Sequence, residues 1–195
     1  MHGQLWWYVA RSGGILAWAL LGASVLWGLA MTTRVAGKVT RPAWLLDLHR
    51  FLGGAALVFT GIHVGAILLD SYVHFSLESV LVPLTGTWHP GAVAWGIVAL
   101  YLLLAIELTS LLRTRVPQRL WRQIHYISFP LFVTTTIHAL TAGTDRHSPL
   151  LVVSVVVVCA GITFLTALRL AGASKPESSR PRVLSGSSEQ FHRMG

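Results

Sequence analysis

Charged side chains are scarce in this sequence of 195 residues. Only 11% of the residues are Asp, Glu, Lys or Arg, whereas 53% are hydrophobic. Ordinary soluble domains carry about 25% charged residues, so a water-facing surface of normal composition is excluded. Several apolar runs are long enough to span a bilayer as helices. The sequence therefore predicts an all-α fold, a polytopic transmembrane helical bundle whose main partner is the lipid bilayer.

Cysteine and acidic residues are also rare, and each shortage excludes a class of function. The single cysteine, Cys159, lies in an apolar run, so an intrachain disulfide and a CxxC metal or redox motif are both excluded. Asp and Glu total 7 against 15 Lys and Arg, for a net charge of +8. The basic residues lie between apolar runs, where the positive-inside rule expects them. We therefore expect no nucleic-acid partner.

The apolar runs predict about five spanning helices, separated by loops of unequal charge. Basic residues are concentrated in residues 32–44, in residues 113–119 and after residue 170. The positive-inside rule then places the N-terminus outside and the C-terminus in the cytoplasm of a multi-pass cell membrane protein of the bacterial plasma membrane type. The predicted spans are residues 5–31, 45–70, 91–112, 120–141 and 149–170.

The chain is thus divided into a transmembrane domain, residues 1–170, and a tail, residues 171–195. The tail is rich in Ser, Pro, Arg and Lys, a composition typical of disorder. The connection at residues 71–90 has no Lys or Arg and predicts a short amphipathic element along the outer membrane surface.

Four histidines lie inside two of the predicted spans, where polar side chains are costly and mark function. His49 and His63 are 14 positions apart in the second span, and His125 and His138 are 13 apart in the fourth. Both spans follow basic loops, so the two helices are expected to be parallel. The separations correspond to about 21 Å and about 19.5 Å along a helix axis. The sequence therefore predicts two pairs at different depths, His49 with His125 and His63 with His138.

In an ideal helix, the two histidines of the second span lie on one face, whereas those of the fourth span do not. At 100° per residue, His49 and His63 differ by about 40°, whereas His125 and His138 differ by about 140°. Pro130 lies between the latter two, and proline kinks helices. We expect Pro130 to contribute to bringing His125 and His138 into register.

The spacing of the histidines favours haem over other metal sites. Zinc takes four ligands around one ion, which two pairs about 20 Å apart do not supply. A porphyrin provides four equatorial nitrogens, so each iron needs only two axial imidazoles. The four histidines thus predict two b-type haems and electron transfer across the membrane. Four glycines of the second span are expected to flank a haem or to allow close helix packing: Gly53, Gly54, Gly61 and Gly65.

With these histidines the sequence resembles the ferric reductase-like transmembrane domain family. The motifs ARSGG at residues 10–14 and AGTD at residues 142–145 add to the resemblance. The resemblance implies haem b at His49, His63, His125 and His138, and electron flow across the membrane or from quinol. It suggests an oxidoreductase subunit whose acceptor is ferric iron, a quinone or a partner redox protein.

Two departures from the family pattern affect the expected partners. Many members have six spans, and many carry a cytosolic flavin and nicotinamide domain. Here about 25 residues follow the last predicted span, and no GxGxxG motif is present. We therefore expect electrons to come from a separate reductase, a membrane quinol or a flavoprotein.

Three arginines are candidate partners for haem propionates. Arg50 and Arg122 lie near His49 and His125 at the predicted inner side, where the alternative is snorkelling to the interface. Arg11 lies near the predicted outer end of the first helix and is a candidate partner for the outer haem.

For the other polar residues, the sequence leaves both a functional and an ordinary interpretation open. Glu107 in the third span is a candidate proton relay or quinone ligand, or else reaches the inner interface. Outer-side residues form a candidate metal or substrate site, or are ordinary surface residues; they are His74, His89, His147, Asp70 and Asp145. The alternative function for the chain is a transporter whose intramembrane histidines bind protons or metal ions.

Overall fold

The computed structural model describes residues 2–33, 43–71, 73–143 and 148–173. Within these ranges the secondary structure is α-helical and no strand occurs. The predicted all-α polytopic bundle is confirmed. Its helices are α1 (His2–Thr32), α2 (Ala43–Leu69), α3 (Leu77–Leu81), α4 (Pro90–Leu111), α5 (Gln118–Tyr126), α6 (Ser128–Ala142) and α7 (Pro149–Ala173).

Four of these helices are long and apolar enough to cross a membrane on their own, namely α1, α2, α4 and α7. They correspond to four of the five predicted spans. The remaining one, predicted as a single helix over residues 120–141, is divided into α5 and α6, which meet at Ile127. The predicted span is therefore interrupted at Ile127, near the proline that was expected to alter it.

Pro130 explains where this helix is divided. A proline inside a helix has no N–H to donate and clashes with the carbonyl of the residue four positions earlier. That residue is Tyr126, the last residue of α5. In α6, which begins at Ser128, Pro130 occupies the first turn, where the missing N–H has no intrahelical acceptor to lose. The proline therefore ends one helix and is compatible with the start of the next.

The core of the bundle is built around α1. This helix packs against α2, α6 and α7, while α4 packs mainly against α6. The buried residues Trp18, Leu21 and Val25 of α1 belong to a cluster that also contains Leu131 of α6. Inside this cluster the indole Nε1 of Trp18 donates a hydrogen bond of 3.0 Å to the hydroxyl of Thr136. Apolar packing and a satisfied polar pair thus hold α1 to α6.

The outward faces of the helices are apolar, as expected for contact with lipid. Val156, Val157 and Phe164 on α7 are each more than 60% exposed. In a water-soluble protein such a surface would be an aggregation hazard, whereas hydrocarbon solvates it. The apolar helices and their exposed faces indicate a multi-pass membrane protein.

The connection between α2 and α4 contains the short helix α3, where the sequence predicts a surface element. Ser76 caps α3 by accepting a hydrogen bond of 3.1 Å from the backbone N–H of Ser79. The phenol of Tyr101 on α4 donates to the carbonyl of Leu81 at 2.8 Å. The segment is therefore tied back to the bundle.

Much of the predicted topology depends on residues outside the described ranges. Residues 34–42 of the first basic loop and residues 174–195 of the tail fall there. The outside position of the N-terminus and the disorder of the tail remain predictions. Helix α7 continues to Ala173, slightly past the predicted start of the tail at residue 171.

Candidate functional site

The four intramembrane histidines come together in two pairs. The rings of His49 on α2 and His125 on α5 have centres 5.9 Å apart and planes at 76°. The rings of His63 on α2 and His138 on α6 have centres 6.2 Å apart and planes at 77°. These are the partners that the sequence predicts.

The division between α5 and α6 at Ile127 explains how His125 and His138 can both pair with histidines of α2. His125 lies on α5 and His138 on α6, so the two residues do not share one continuous helix. The difference of about 140° that an unbroken helix would impose therefore does not apply. His49 and His63, by contrast, share the single helix α2.

Three of the four imidazoles are held by a backbone carbonyl of a neighbouring helix. Nδ1 of His63 donates to the carbonyl of Ala10 at 2.6 Å, and Nδ1 of His138 donates to that of Ala92 at 2.8 Å. Nδ1 of His49 lies 3.1 Å from the carbonyl of Ser24 and 3.3 Å from its hydroxyl. A carbonyl only accepts, so the proton is on Nδ1 and the Nε2 lone pair is left for a metal.

His125 is held differently from the other three. Its Nδ1 is buried and has no hydrogen-bond partner within the described part of the chain. Its ring instead stacks on that of Trp121, with centres 5.0 Å apart and planes at 20°. The guanidinium carbon of Arg113 lies 4.7 Å from the Trp121 ring centre, a cation–π contact.

Glycines on α1 and α4 allow the histidine rings to approach the neighbouring helix. A Cβ at Gly14 would lie 2.9 Å from Nδ1 of His63, and one at Gly96 would lie 2.7 Å from Cε1 of His138. A Cβ at Gly28 would lie 3.1 Å from Cε1 of His49. Any larger residue would push the ring away from its carbonyl.

The α2 glycines border open space or a carboxylate, and their predicted place beside a haem remains a prediction. A Cβ at Gly54, Gly61 or Gly65 would meet no atom within 4 Å, and one at Gly53 would lie 2.6 Å from the carboxylate of Glu107. Among the glycines described, those of α1 and α4 make room for the imidazoles, a role that the sequence did not predict.

A cavity of about 410 Å³ surrounds the outer pair, His63 and His138. Most of its surface is apolar, and its lining includes Ala56, Leu103 and Leu131 from three helices. Such a cavity suits a flat, largely apolar cofactor.

The spacing of the rings also suits a metal held between two imidazoles. Two metal–nitrogen bonds of about 2.0–2.1 Å, together with about 1.1 Å from each ring centre to its nitrogen, amount to about 6.3 Å between ring centres. The observed 6.2 Å of the outer pair matches this value, and the 5.9 Å of the inner pair is slightly shorter. The donor set, the apolar cavity and the glycine contacts fit haem with two axial histidines.

The three candidate arginines have different surroundings. Arg11 lines the cavity of the outer pair, and its guanidinium carbon lies 4.9 Å from the Trp7 ring centre. Arg50 is exposed and forms a 3.6 Å ion pair with Asp47, while Arg122 is also exposed. Arg11 is therefore placed at a cavity, whereas Arg50 and Arg122 face outward.

The candidate metal or substrate site of outer-side residues lies partly outside the described part of the chain. No group of three or more His, Cys, Asp or Glu suited to one metal ion occurs among the described residues. His74 and His89 are exposed, and His147 and Asp145 lie outside the described ranges. The carboxylate of Glu107 is half-buried against Gly53.

Sequence reasoning missed the groups that hold the imidazoles. Ala10 and Gly14 both belong to the ARSGG motif, which was noted only as part of a resemblance. Trp121 precedes His125 by four residues, the spacing that places two side chains on one helix face. That spacing was a usable signal, whereas Ala92 and Ser24 act through backbone carbonyls, which carry no sequence signal.

The chain matches the family model described as ferric reductase like transmembrane component over residues 13–136, more than half of its length. The match includes His49, His63 and His125 and ends two residues before His138. No curated protein and no solved structure matches the chain.

Proposed function

The chain belongs to the ferric reductase-like transmembrane family, and from this we propose that it passes electrons through two b-type haems, one at each histidine pair. Transmembrane electron transfer in general is what membership of the family indicates. The two haems, their ligands and the direction of flow are the proposal.

The observation that carries the proposal is the geometry of the two pairs. Each pair leaves a gap between ring centres suited to one axially ligated metal, and the pairs are separated by 14 residues of one helix. Hydrogen bonds at Nδ1 orient three of the four rings with Nε2 free. His138, which lies beyond the family match, is included because its ring faces His63.

The chain's residues favour electron transfer over chemistry at the metal. When haem b is bound, its iron supplies one-electron oxidation and reduction. A haem held by His49 and His125, or by His63 and His138, would carry electrons rather than bind oxygen or substrate at its iron. The cavity around His63 and His138 is lined mainly by apolar groups. Arg11 is proposed to pair with a propionate of the outer haem, while the exposed Arg50 and Arg122 favour a place at the inner interface.

We further propose a role as an oxidoreductase subunit in a bacterial plasma membrane. The donor would be a separate reductase, a quinol or a flavoprotein. The acceptor would be ferric iron, a quinone or a partner redox protein. The family membership supports this role.

The proposal is tested by measuring haem content in purified protein. We expect two b-type haems per chain and a low-spin reduced spectrum. His49→Ala and His63→Ala should each reduce the content from two haems to one, and the double variant should hold none. The exposed His74→Ala is the matched control and should retain two.

If protein prepared with an ample supply of haem lacks that spectrum, electron transfer through haem is contradicted. Metal-dependent ion flux into liposomes containing the haem-free protein would instead support the transporter alternative. The two assays separate the alternatives because they measure different activities of the same four histidines.

A further inference from the structure

The inner pair differs from the outer pair in how one of its rings is held. At the outer pair both His63 and His138 donate from Nδ1 to a backbone carbonyl. At the inner pair only His49 has such a partner, and Nδ1 of His125 is buried without one in the described residues. A hydrogen bond at that nitrogen normally fixes the orientation and raises the basicity of a histidine ligand. His125 must be oriented by something else.

The stack of Trp121 on His125 is the contact that orients this ring. The two residues are four positions apart on α5, and their ring planes are within 20° of parallel. Nε1 of Trp121 is itself buried without a hydrogen-bond partner in the described residues, so no polar contact at that atom fixes the indole. Arg113, on the loop after α4, supplies the cation–π contact that holds it.

The helix that carries His125 has few other restraints. No residue of α5 is fully buried, and Ile124 is only partly buried against the core. At its end, the Arg169 guanidinium of α7 donates a 3.1 Å hydrogen bond to the phenol of Tyr126. Core packing therefore restrains the plane of the His125 ring less than that of His138, whose helix contains buried residues such as Leu131 and Thr136.

From these contacts we infer that Trp121, held by Arg113, is the positioning residue for His125. It sets the plane of that imidazole, and through it the properties of the inner redox centre alone. The inference rests on the proposed function, because it assigns His125 as an axial ligand.

The test uses the full-length purified protein and compares Trp121→Leu with Trp121→Phe. Leucine removes the stacking surface, whereas phenylalanine retains an aromatic face. The readouts are the potentiometric titration of each haem component and the electron paramagnetic resonance spectrum, which depends on the angle between two axial imidazoles. Trp44→Leu is the control, because this tryptophan is 57% exposed and its ring lies near Trp27.

We expect Trp121→Leu to shift the potential and the resonance signal of one component and to leave the other unchanged. Trp121→Phe should restore the parent signal, and Trp44→Leu should match the parent. If Trp121→Leu leaves both components as in the parent, the inference is overturned while the proposed function stands. A parent protein without haem would instead overturn the proposed function.

If Trp121→Leu is not recovered from membranes, Arg113→Gln tests whether Trp121 positions His125. It removes the cation over the indole and leaves both aromatic rings in place. A shift confined to the component that loses haem in His49→Ala supports the inference. Parent-like potentials and signals in Arg113→Gln would overturn it.

Discussion

Individual glycines determine how closely each imidazole approaches its neighbouring helix. Gly14 and Gly28 on α1 lie beside His63 and His49, and Gly96 on α4 lies beside His138. In each case the glycine and the histidine belong to different helices. The ring therefore reaches a backbone carbonyl that a side chain at the glycine would obstruct. At each of these three positions, the close approach of the imidazole depends on the absence of a Cβ.

Gly96→Ala is expected to disrupt the outer pair. The added Cβ would lie 2.7 Å from Cε1 and 2.8 Å from Nδ1 of His138, and that ring is held by its hydrogen bond to Ala92. Overpacking of this kind typically costs about 1–3 kcal/mol. We predict that haem content falls from two to one per chain, with a lower thermal unfolding temperature.

Gly91→Ala, on the same helix α4, is the matched control for this substitution. Nothing lies within 4 Å of its added Cβ, and alanine is favoured over glycine in a helix by about 1 kcal/mol. It should retain both haems. Equal haem content in Gly96→Ala and the parent protein would show that the ring of His138 does not need this close approach.

Among the elements, α5 and α6 each carry one histidine of one pair. Two short helices meeting at Ile127 allow His125 and His138 to be oriented independently. The register of α6 is fixed by its buried residues Leu131, Phe132 and Thr136. Because α5 has no fully buried residue, it is the element that would turn if the two helices joined.

Pro130→Ala is expected to weaken the inner pair. Without the proline, the carbonyl of Tyr126 gains an N–H partner and a continuous helix becomes favourable. In such a helix His125 would point about 140° away from His138 and away from His49. We predict loss of one haem, with the outer component retained, measured by haem content and by the number of potentiometric components.

Pro90→Ala provides the control at the level of the element. Pro90 is the first residue of α4, where a proline has no continuing helix to interrupt. It should leave both components intact. If Pro130→Ala also retains both, the division at Ile127 is maintained by tertiary packing and the proline is dispensable.

For the whole molecule, the orientation in the membrane decides which pair lies on which side. The described residues place both pairs along α2, with His49 near its start and His63 nearer its end. The charge pattern predicts that residues 113–119 face the cytoplasm and residues 71–90 face outward. His49 and His125 would then form the inner centre.

Cysteine labelling tests this orientation. In a Cys159→Ala background, Thr87→Cys places a thiol at an exposed position of the connection between α2 and α4. Thr114→Cys places one at an exposed position of the connection between α4 and α5. A membrane-impermeant maleimide added to intact cells should label position 87, and position 114 only after permeabilisation. The Cys159→Ala protein without an added thiol is the control. The reverse pattern would invert the assignment of inner and outer centres.

The sequence alone was sufficient for the class of fold and for the partners within each histidine pair. Long apolar runs specify membrane-spanning helices because unpaired backbone groups are not tolerated in hydrocarbon. His49 and His63 could be placed on one face because α2 is a single helix with a constant rotation per residue. For such residues, position in the sequence translates directly into position in space.

Only the tertiary structure decided how each ring is held. The carbonyls of Ala10, Ser24 and Ala92 are present in every residue type, so no sequence pattern marks them as hydrogen-bond acceptors. The division at Ile127 depends on a competition between the constraint at Pro130 and packing of α6 on the core. The role of Gly14, Gly28 and Gly96 depends on which helices approach one another. Such contacts join residues distant in sequence, and local propensity does not encode them.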